Sequence, residues 1–159
     1  MKRVVLSWSS GKDSAWTLFQ LQQDRNVEIV GLLTTINSEF NRVAMHAVRE
    51  ELLDAQADAA GLTLFKVPLP WPCSNAEYEK AIKSAFDNLR IKHNVTHIAY
   101  GDLFLEDIRQ YRIDLMKSSN LEPLFPIWGL STKALAEQMI ERGLSAYLTC
   151  VDPKQLSES

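Results

Sequence analysis

Val4-Val5-Leu6-Ser7-Trp8-Ser9-Ser10-Gly11-Lys12-Asp13-Ser14 is the stretch on which the fold of this chain turns. An apolar, β-branched run ends in a loop of small residues, and helix-forming sequence follows at once. Small residues let a backbone approach a ligand closely. The first N–H groups of a helix lack intrahelical partners, and the helix dipole favours negative charge there. Ser9, Ser10 and Ser14 add hydroxyls and Lys12 adds an ammonium, so the loop has the chemistry of a polyphosphate site. Asp13 would repel phosphate unless a cation lay between them, which points to Mg²⁺. A Walker A loop would need Gly where Leu6 stands and a hydroxyl where Asp13 stands, and no GxGxxG fingerprint is present. The competing interpretation is an ordinary helix start, with Ser9 or Ser10 as the cap and Asp13 in the first turn.

Working outward, five further runs resemble this first strand: residues 29–35, 62–68, 97–103, 123–128 and 146–151, after the opening 4–8. Several are apolar on successive residues, as strands buried on both faces of a parallel sheet are. Helical periodicity fills the intervals, over residues 13–24, 46–60, 75–92, 107–118 and 132–142. In the third, Tyr78, Ile82, Ala85, Phe86 and Leu89 form one stripe. Ser74 or Asn75 can cap that helix, and Ser131 or Thr132 the last one. Gly61 and Gly143 stand just past helix ends. Alternating strands and helices imply a single α/β domain, a doubly wound and mainly parallel sheet with helices on both faces. Residues 1–153 are expected to form it, and the polar residues 154–159 a tail. In such sheets ligands bind beyond the carboxyl ends of the strands.

The chain has 159 residues, of which 46% are apolar and 23% charged, as in ordinary globular proteins. A formal net charge of −3 argues against a general nucleic-acid partner. No run approaches the ~20 apolar residues of a membrane span, and no signal peptide is legible at the N-terminus. A cytoplasmic protein is the expectation. Cys73 and Cys150 form no CxxC pair of the kind zinc sites use. Cys73 has no basic partner nearby in sequence to activate it as a nucleophile. A homodimer is only the base-rate expectation for a small enzyme.

Two other strand ends carry charge. After the second strand, Arg42 and His46 lie four apart, at or entering a helix, where they can share a face and offer a guanidinium and an imidazole to an anion. After the fourth comes Gly101-Asp102-Leu103-Phe104-Leu105-Glu106-Asp107-Ile108-Arg109-Gln110-Tyr111-Arg112. Its Arg109 and Arg112 are three apart and face the same way. Surface ion pairs would account for the charges alone, but a loop after a parallel strand is where function is expected. Trp128, in Pro123-Leu124-Phe125-Pro126-Ile127-Trp128-Gly129, is expected in the core or a pocket wall.

A strand followed by S-x-G-K-D-S resembles the pyrophosphate loop of the N-type ATP pyrophosphatases, whose usual pattern is SGG-x-DS. Ser10 stands where their first glycine is expected. With Arg42-x-x-x-His46, the Gly101-Asp102 to Arg112 block and PLFPIWG, nearly the whole chain resembles the diphthine–ammonia ligase (diphthamide synthase) family, in its short, bacterial-type, adenine nucleotide α hydrolase-like branch. That resemblance implies an ATP-binding, AMP-forming ligase. A carboxylate or amide is adenylated with release of pyrophosphate, and ammonia or another amine then displaces AMP. The expected partners are thus a small-molecule substrate and an amine donor, with ATP and Mg²⁺ as cofactors. The longer ligases carry a Glu-Gly-Gly-Glu-type motif after the last strand. This sequence reads Val151-Asp152-Pro153 there, so a smaller acid or amide is as good an expectation as diphthine on elongation factor 2.

Carried onto this sequence, the resemblance implies that Ser9, Ser10, Gly11 and Ser14 hold the β- and γ-phosphates with Lys12. Asp13 would hold Mg²⁺, with Asp102 as a second ligand, and the chain at Thr34 and Thr35 would contact adenine. Arg42, His46, Arg109 and Arg112 would face the substrate carboxylate or the α-phosphate. Glu106 or Asp107 would orient the amine. Two other classes share the loop or the fold: a nucleotide sensor without turnover, and a sulfur transferase acting on RNA. The charged loop argues against the first, and the net charge against the second.

Overall fold

The computed structural model describes residues 1–39 and 48–148 and the backbone of residues 42–43. The elements run β1 (Lys2–Ser7), α1 (Lys12–Gln23), β2 (Val27–Asn37), β3 (Arg42–Val43), α2 (Glu50–Ala60), β4 (Thr63–Leu69), α3 (Asn75–His93), β5 (His97–Ala99), α4 (Glu106–Met116), β6 (Glu122–Leu124) and α5 (Thr132–Glu141). Five parallel strands lie in the order β4-β2-β1-β5-β6. The chain first builds outward from β1 to β2 and β4, then returns to the other side of β1 for β5. The reversal puts a crevice at the carboxyl ends of β1 and β5, where open α/β sheets bind ligands.

Successive strand residues face opposite layers. Val4, Leu6 and Leu32 pack under α1 and α2 with Leu18, Leu21, Leu53 and Ala57. Val5, Leu33 and Ile98 pack under α3 and α4 with Ile82, Phe86, Leu89, Leu115 and Met116. Val4, Val5 and Leu6 are all fully buried, which is why β1 is apolar on successive residues. A third cluster joins Trp16 of α1 to Ile127 and to Leu135 and Met139 of α5.

The helix ends follow local chemistry. Ser74 and Glu77 form a capping box at α3, and the Ser131 hydroxyl accepts from the Ala134 N–H at α5. Gly61 closes α2 at φ 65°.

Several expected boundaries shift. Residues 97–103 and 123–128 pair as strands only over His97–Ala99 and Glu122–Leu124. Beyond Leu124 the apolar run continues because Phe125, Ile127 and Trp128 are packed from a turn, in which the Trp128 N–H donates to the Phe125 carbonyl at 3.2 Å. Residues 146–148 are not strand, and 149–159 lie outside the described residues, as does the expected tail. The second helix begins at Glu50 rather than at His46. Arg42 is not at a helix start: it pairs antiparallel with Asn37 in the short β3. β4 occupies one edge of Ile36 and Asn37, so β3 takes their other edge, the one β1 vacates after Ser7. β3 therefore extends the sheet past the end of β1, on the side where the Ser9–Ser14 loop leaves it.

Candidate nucleotide and substrate site

The loop after β1 is held by its own hydroxyls. The Gly11 N–H donates to Ser9 Oγ at 3.3 Å, Ser9 Oγ and Ser14 Oγ are 2.9 Å apart, and Ser14 Oγ donates to the Gly11 carbonyl at 3.0 Å. Ser14 is buried, whereas Ser9 and Ser10 are half-buried. Gly11 is the N-cap of α1, and no side chain caps that helix. Neither Ser9 nor Ser10 is therefore the N-cap: Ser9 Oγ accepts from the Gly11 N–H, whereas the N–H groups of Lys12, Asp13 and Ser14 have no partner among the described residues and are open to an anion. Ser10 has φ 70°, the left-handed region that favours glycine. That geometry accounts for the SGG-x-DS pattern, because this is the position at which Ser replaces Gly. Lys12 Nζ lies 2.7 Å from Asp13 Oδ1 at the mouth of the loop, where both side chains reach solvent.

The end of β5 sits directly on this loop. A Cβ placed on Gly101 would stand 3.2 Å from the Asp13 carbonyl and 3.1 Å from Thr17 Oγ1, which itself donates to the Asp13 carbonyl at 2.7 Å. A side chain where the chain leaves the sheet would press on the first turn of α1, and Asp102 follows Gly101. Arg112 Nε donates to Asp102 Oδ2 at 3.4 Å, and the guanidinium lies over the Tyr100 ring at 4.7 Å. Burial opposes the charge on Arg112, but Asp102 and the surrounding tyrosines raise its affinity for the proton. Tyr100 is buried and donates to Met116 Sδ, and burial lifts its hydroxyl well above the ordinary range.

Between the sheet and α3 and α4 lies a cavity of about 90 Å³. Ser7, Ser9 and Thr35 line it from the strand ends, Tyr78, Ile82 and Phe86 from α3, and Arg112 and Leu115 from α4. Ser9 thus belongs both to the loop and to the cavity wall.

A family model for the diphthamide synthase N-terminal domain matches residues 1–119. The chain belongs to this family. It is a PP-loop ATP pyrophosphatase family domain, and membership places the chain in the PP-loop class of ATP-utilising enzymes. No curated protein matches the sequence. The matched span contains the loop, the cavity and all of α4, so the geometry above belongs to the family domain.

In this diphthamide synthase-type domain the residues singled out in the sequence separate into groups. Asp13 and Asp102 flank Gly101's contact with α1, whereas Asp102 is engaged by Arg112. Among the described residues no three His, Cys, Asp or Glu side chains cluster as a metal cage. Asp13 and Asp102 are the two carboxylates beside Gly101, and phosphate-borne magnesium is commonly held by one or two carboxylates with phosphate oxygens and waters. Thr34 and Thr35 face opposite layers. Thr35 lines the cavity, whereas Thr34 is buried on the α1–α2 side and its Oγ1 has no hydrogen-bond partner among the described residues. Arg109 and Arg112 also diverge: Arg109 stacks 4.7 Å over Trp128 and 5.3 Å over Phe125, and pairs with Glu106 at 3.6 Å. Glu106 and Asp107 are exposed in the first turn of α4. His46 and Cys150 lie outside the described residues, as does the Arg42 side chain.

Tyr78, Tyr100, Phe125 and Gly101 were not expected at the site. Gly101 was legible as the small residue between a strand end and an acidic loop. The aromatic partners depend on contacts far apart in sequence and leave no local signal. Cys73 is partly buried beside the N-cap of α3, and its Sγ donates to the Ser74 carbonyl at 3.5 Å.

Proposed function

We propose that this domain adenylates a carboxylate or amide at the expense of ATP, releases pyrophosphate, and passes the activated group to ammonia or another amine. The observation that carries the reading is the uncapped start of α1, joined to a hydroxyl-lined loop that also forms a wall of the Arg112 cavity. The loop's N–H groups with Ser9, Ser10, Gly11, Ser14 and Lys12 would hold the β- and γ-phosphates, and the chain past Thr35 would take adenine. Asp13, with Asp102 beside it, would hold Mg²⁺, which supplies charge neutralisation on the phosphates when bound. A substrate oxygen then attacks the α-phosphorus, the bond from α-phosphorus to the bridging oxygen breaks, and pyrophosphate leaves with the electron pair. The amine next attacks the activated carbon, loses one proton, and AMP departs. The protein's part is positioning and charge stabilisation.

Positional isotope exchange in ATP tests the reading. With label in the α,β-bridging oxygen, reversible adenylation scrambles it into the β-phosphoryl group when the acid is present. Scrambling that disappears in Asp13→Ala, with the fold retained, supports the reading. A protein that binds ATP yet never scrambles it with any acid or amide would be a nucleotide sensor instead.

A further inference from the structure

A guanidinium taken out of water needs partners on its faces and edges. Arg112 is mostly buried, and two such partners come from the exit of β5. Ile98 and Tyr100 face the α3–α4 layer, whereas Ala99 lies on the α1–α2 side. Gly101 turns toward α1, where it meets Asp13 and Thr17. The two-residue period of a strand therefore sets Tyr100 and Asp102 on one side, facing α4. The Arg112 guanidinium lies over the Tyr100 ring, its Cζ 4.7 Å from the centroid, and its Nε donates to Asp102 Oδ2 at 3.4 Å. A planar cation held by one face and one edge has a fixed orientation. Tyr100 is itself held at three points. Its N–H donates to the Leu124 carbonyl at 2.9 Å, its ring stacks on Phe125 at 5.7 Å, and its hydroxyl donates to Met116 Sδ at 3.4 Å. Met116 lies one turn beyond Arg112 on α4, so the ring spans the turn that carries the guanidinium. The two Nη groups of Arg112 have no hydrogen bond among the described residues.

We propose that Tyr100 is a positioning residue, which holds Arg112 so that the guanidinium meets the α-phosphate of the nucleotide. The inference rests on the adenylation reading above, in which the Ser9 loop holds the β- and γ-phosphates and the chain past Thr35 takes adenine. The α-phosphate joins those two ends of the nucleotide, and Arg112 lines the same crevice as Ser9 and Thr35. Its Nη pair matches two phosphate oxygens, a geometry that a lysine cannot offer. The contact stabilises the charge that develops at the α-phosphoryl group as pyrophosphate leaves. A guanidinium free to rotate would lose that alignment, so the ring acts on the reaction without touching the nucleotide.

The test uses the full chain with AMP and adenosine, which differ by the phosphate alone. The ratio of their affinities, measured by calorimetry, reads the phosphate contact. The wild type should prefer AMP. That preference should fall about tenfold or more in Arg112→Gln and in Tyr100→Leu, the loss of a charge-assisted contact. It should stay within about twofold of the parent in Tyr100→Phe, which keeps the ring. Adenosine affinity should be the same in every variant. Nitrogen NMR should show separate Arg112 Nη signals in the wild type and in Tyr100→Phe, averaged by rotation in Tyr100→Leu. A wild type without the preference, an unchanged preference in Arg112→Gln or Tyr100→Leu, or its loss in Tyr100→Phe would each overturn the proposal. So would an equal loss of adenosine affinity in Tyr100→Leu, the mark of a merely structural residue. Where Tyr100→Leu does not fold, averaged Nη signals in the wild type are the result that overturns it. Any of these leaves adenylation standing if labelled ATP still scrambles in the wild type. The expected preferences with ATP that never scrambles would instead remove adenylation and leave Tyr100 positioning a phosphate contact.

Discussion

Gly101, at the end of the central parallel strands, packs so closely on the first turn of α1 that a Cβ there would stand 3.2 Å from the Asp13 backbone. The neighbouring atoms are backbone and the hydroxyl of the fully buried Thr17, which have little room to yield. Gly101→Ala should lower stability by about 1–3 kcal/mol, as overpacking does. It should also displace Asp102 relative to Asp13, so nucleotide affinity should fall further than the stability loss alone would require. Chemical denaturation and ATP titration on the same variant check both effects. A fully stable Gly101→Ala with normal ATP affinity would show that the two carboxylates need no fixed spacing.

Ser10 is held at φ 70° and reaches that conformation without the freedom of glycine. Ser10→Gly should stabilise the domain by about 0.5–1 kcal/mol, the relief of left-handed backbone exceeding the added chain entropy. Ser10→Val should destabilise it, since branching at Cβ worsens the same conformation. Urea midpoints of the three proteins give the order. A less stable Ser10→Gly would mean that the Ser10 hydroxyl contributes more than the backbone geometry loses.

The Lys12–Asp13 pair at the loop mouth joins an exposed lysine to a half-buried aspartate that still reaches solvent. Its contribution to stability should be within a few tenths of a kcal/mol, as for other solvated ion pairs. Lys12→Met should therefore leave the melting temperature within a few degrees of the parent, whereas its KM for ATP should rise by about tenfold or more, the loss of a charge-assisted contact to phosphate. An unchanged KM would remove Lys12 from the phosphate site.

His97 begins β5, and its side chain is largely covered. Burial lowers its proton affinity first, only partly offset by Glu122 at 3.4 Å. Its folded pKa lies below the ordinary 6.5, so at mildly acidic pH the unfolded chain binds a proton that the folded one does not. Stability should be intact above about pH 6.5 and decline as pH falls from there through the folded value. The slope in that window should flatten in His97→Gln. A slope of opposite sign would mean that Glu122 outweighs burial.

What the sequence revealed, it revealed through local chemistry. The strand, loop and helix start were legible because the apolar run, the small residues Ser9 to Gly11 and the helix-forming sequence are contiguous. The helix ends were legible because Ser74, Ser131 and Gly61 act within a single turn. Residues 97–103 and 123–128 were extended too far because burial, not pairing, makes a run apolar: Phe125, Ile127 and Trp128 are packed outside the sheet. β3 left no pattern, being two residues joined to β2 by backbone. Thr34 and Thr35 could have been separated by the two-residue period of a strand, since Leu32 and Leu33 already face different layers. The divergence of Arg109 and Arg112 could not, because their partners Trp128 and Tyr100 come from different parts of the fold.

The most direct test of the adenylation reading is the identity of the phosphorus products. Phosphorus NMR of the protein with Mg·ATP, ammonium and a mixture of small carboxylates should show AMP and pyrophosphate appearing in equal amounts, dependent on the carboxylates and lost in Asp13→Ala. ADP and inorganic phosphate as the products, or ATP bound and unchanged under every mixture, would contradict it.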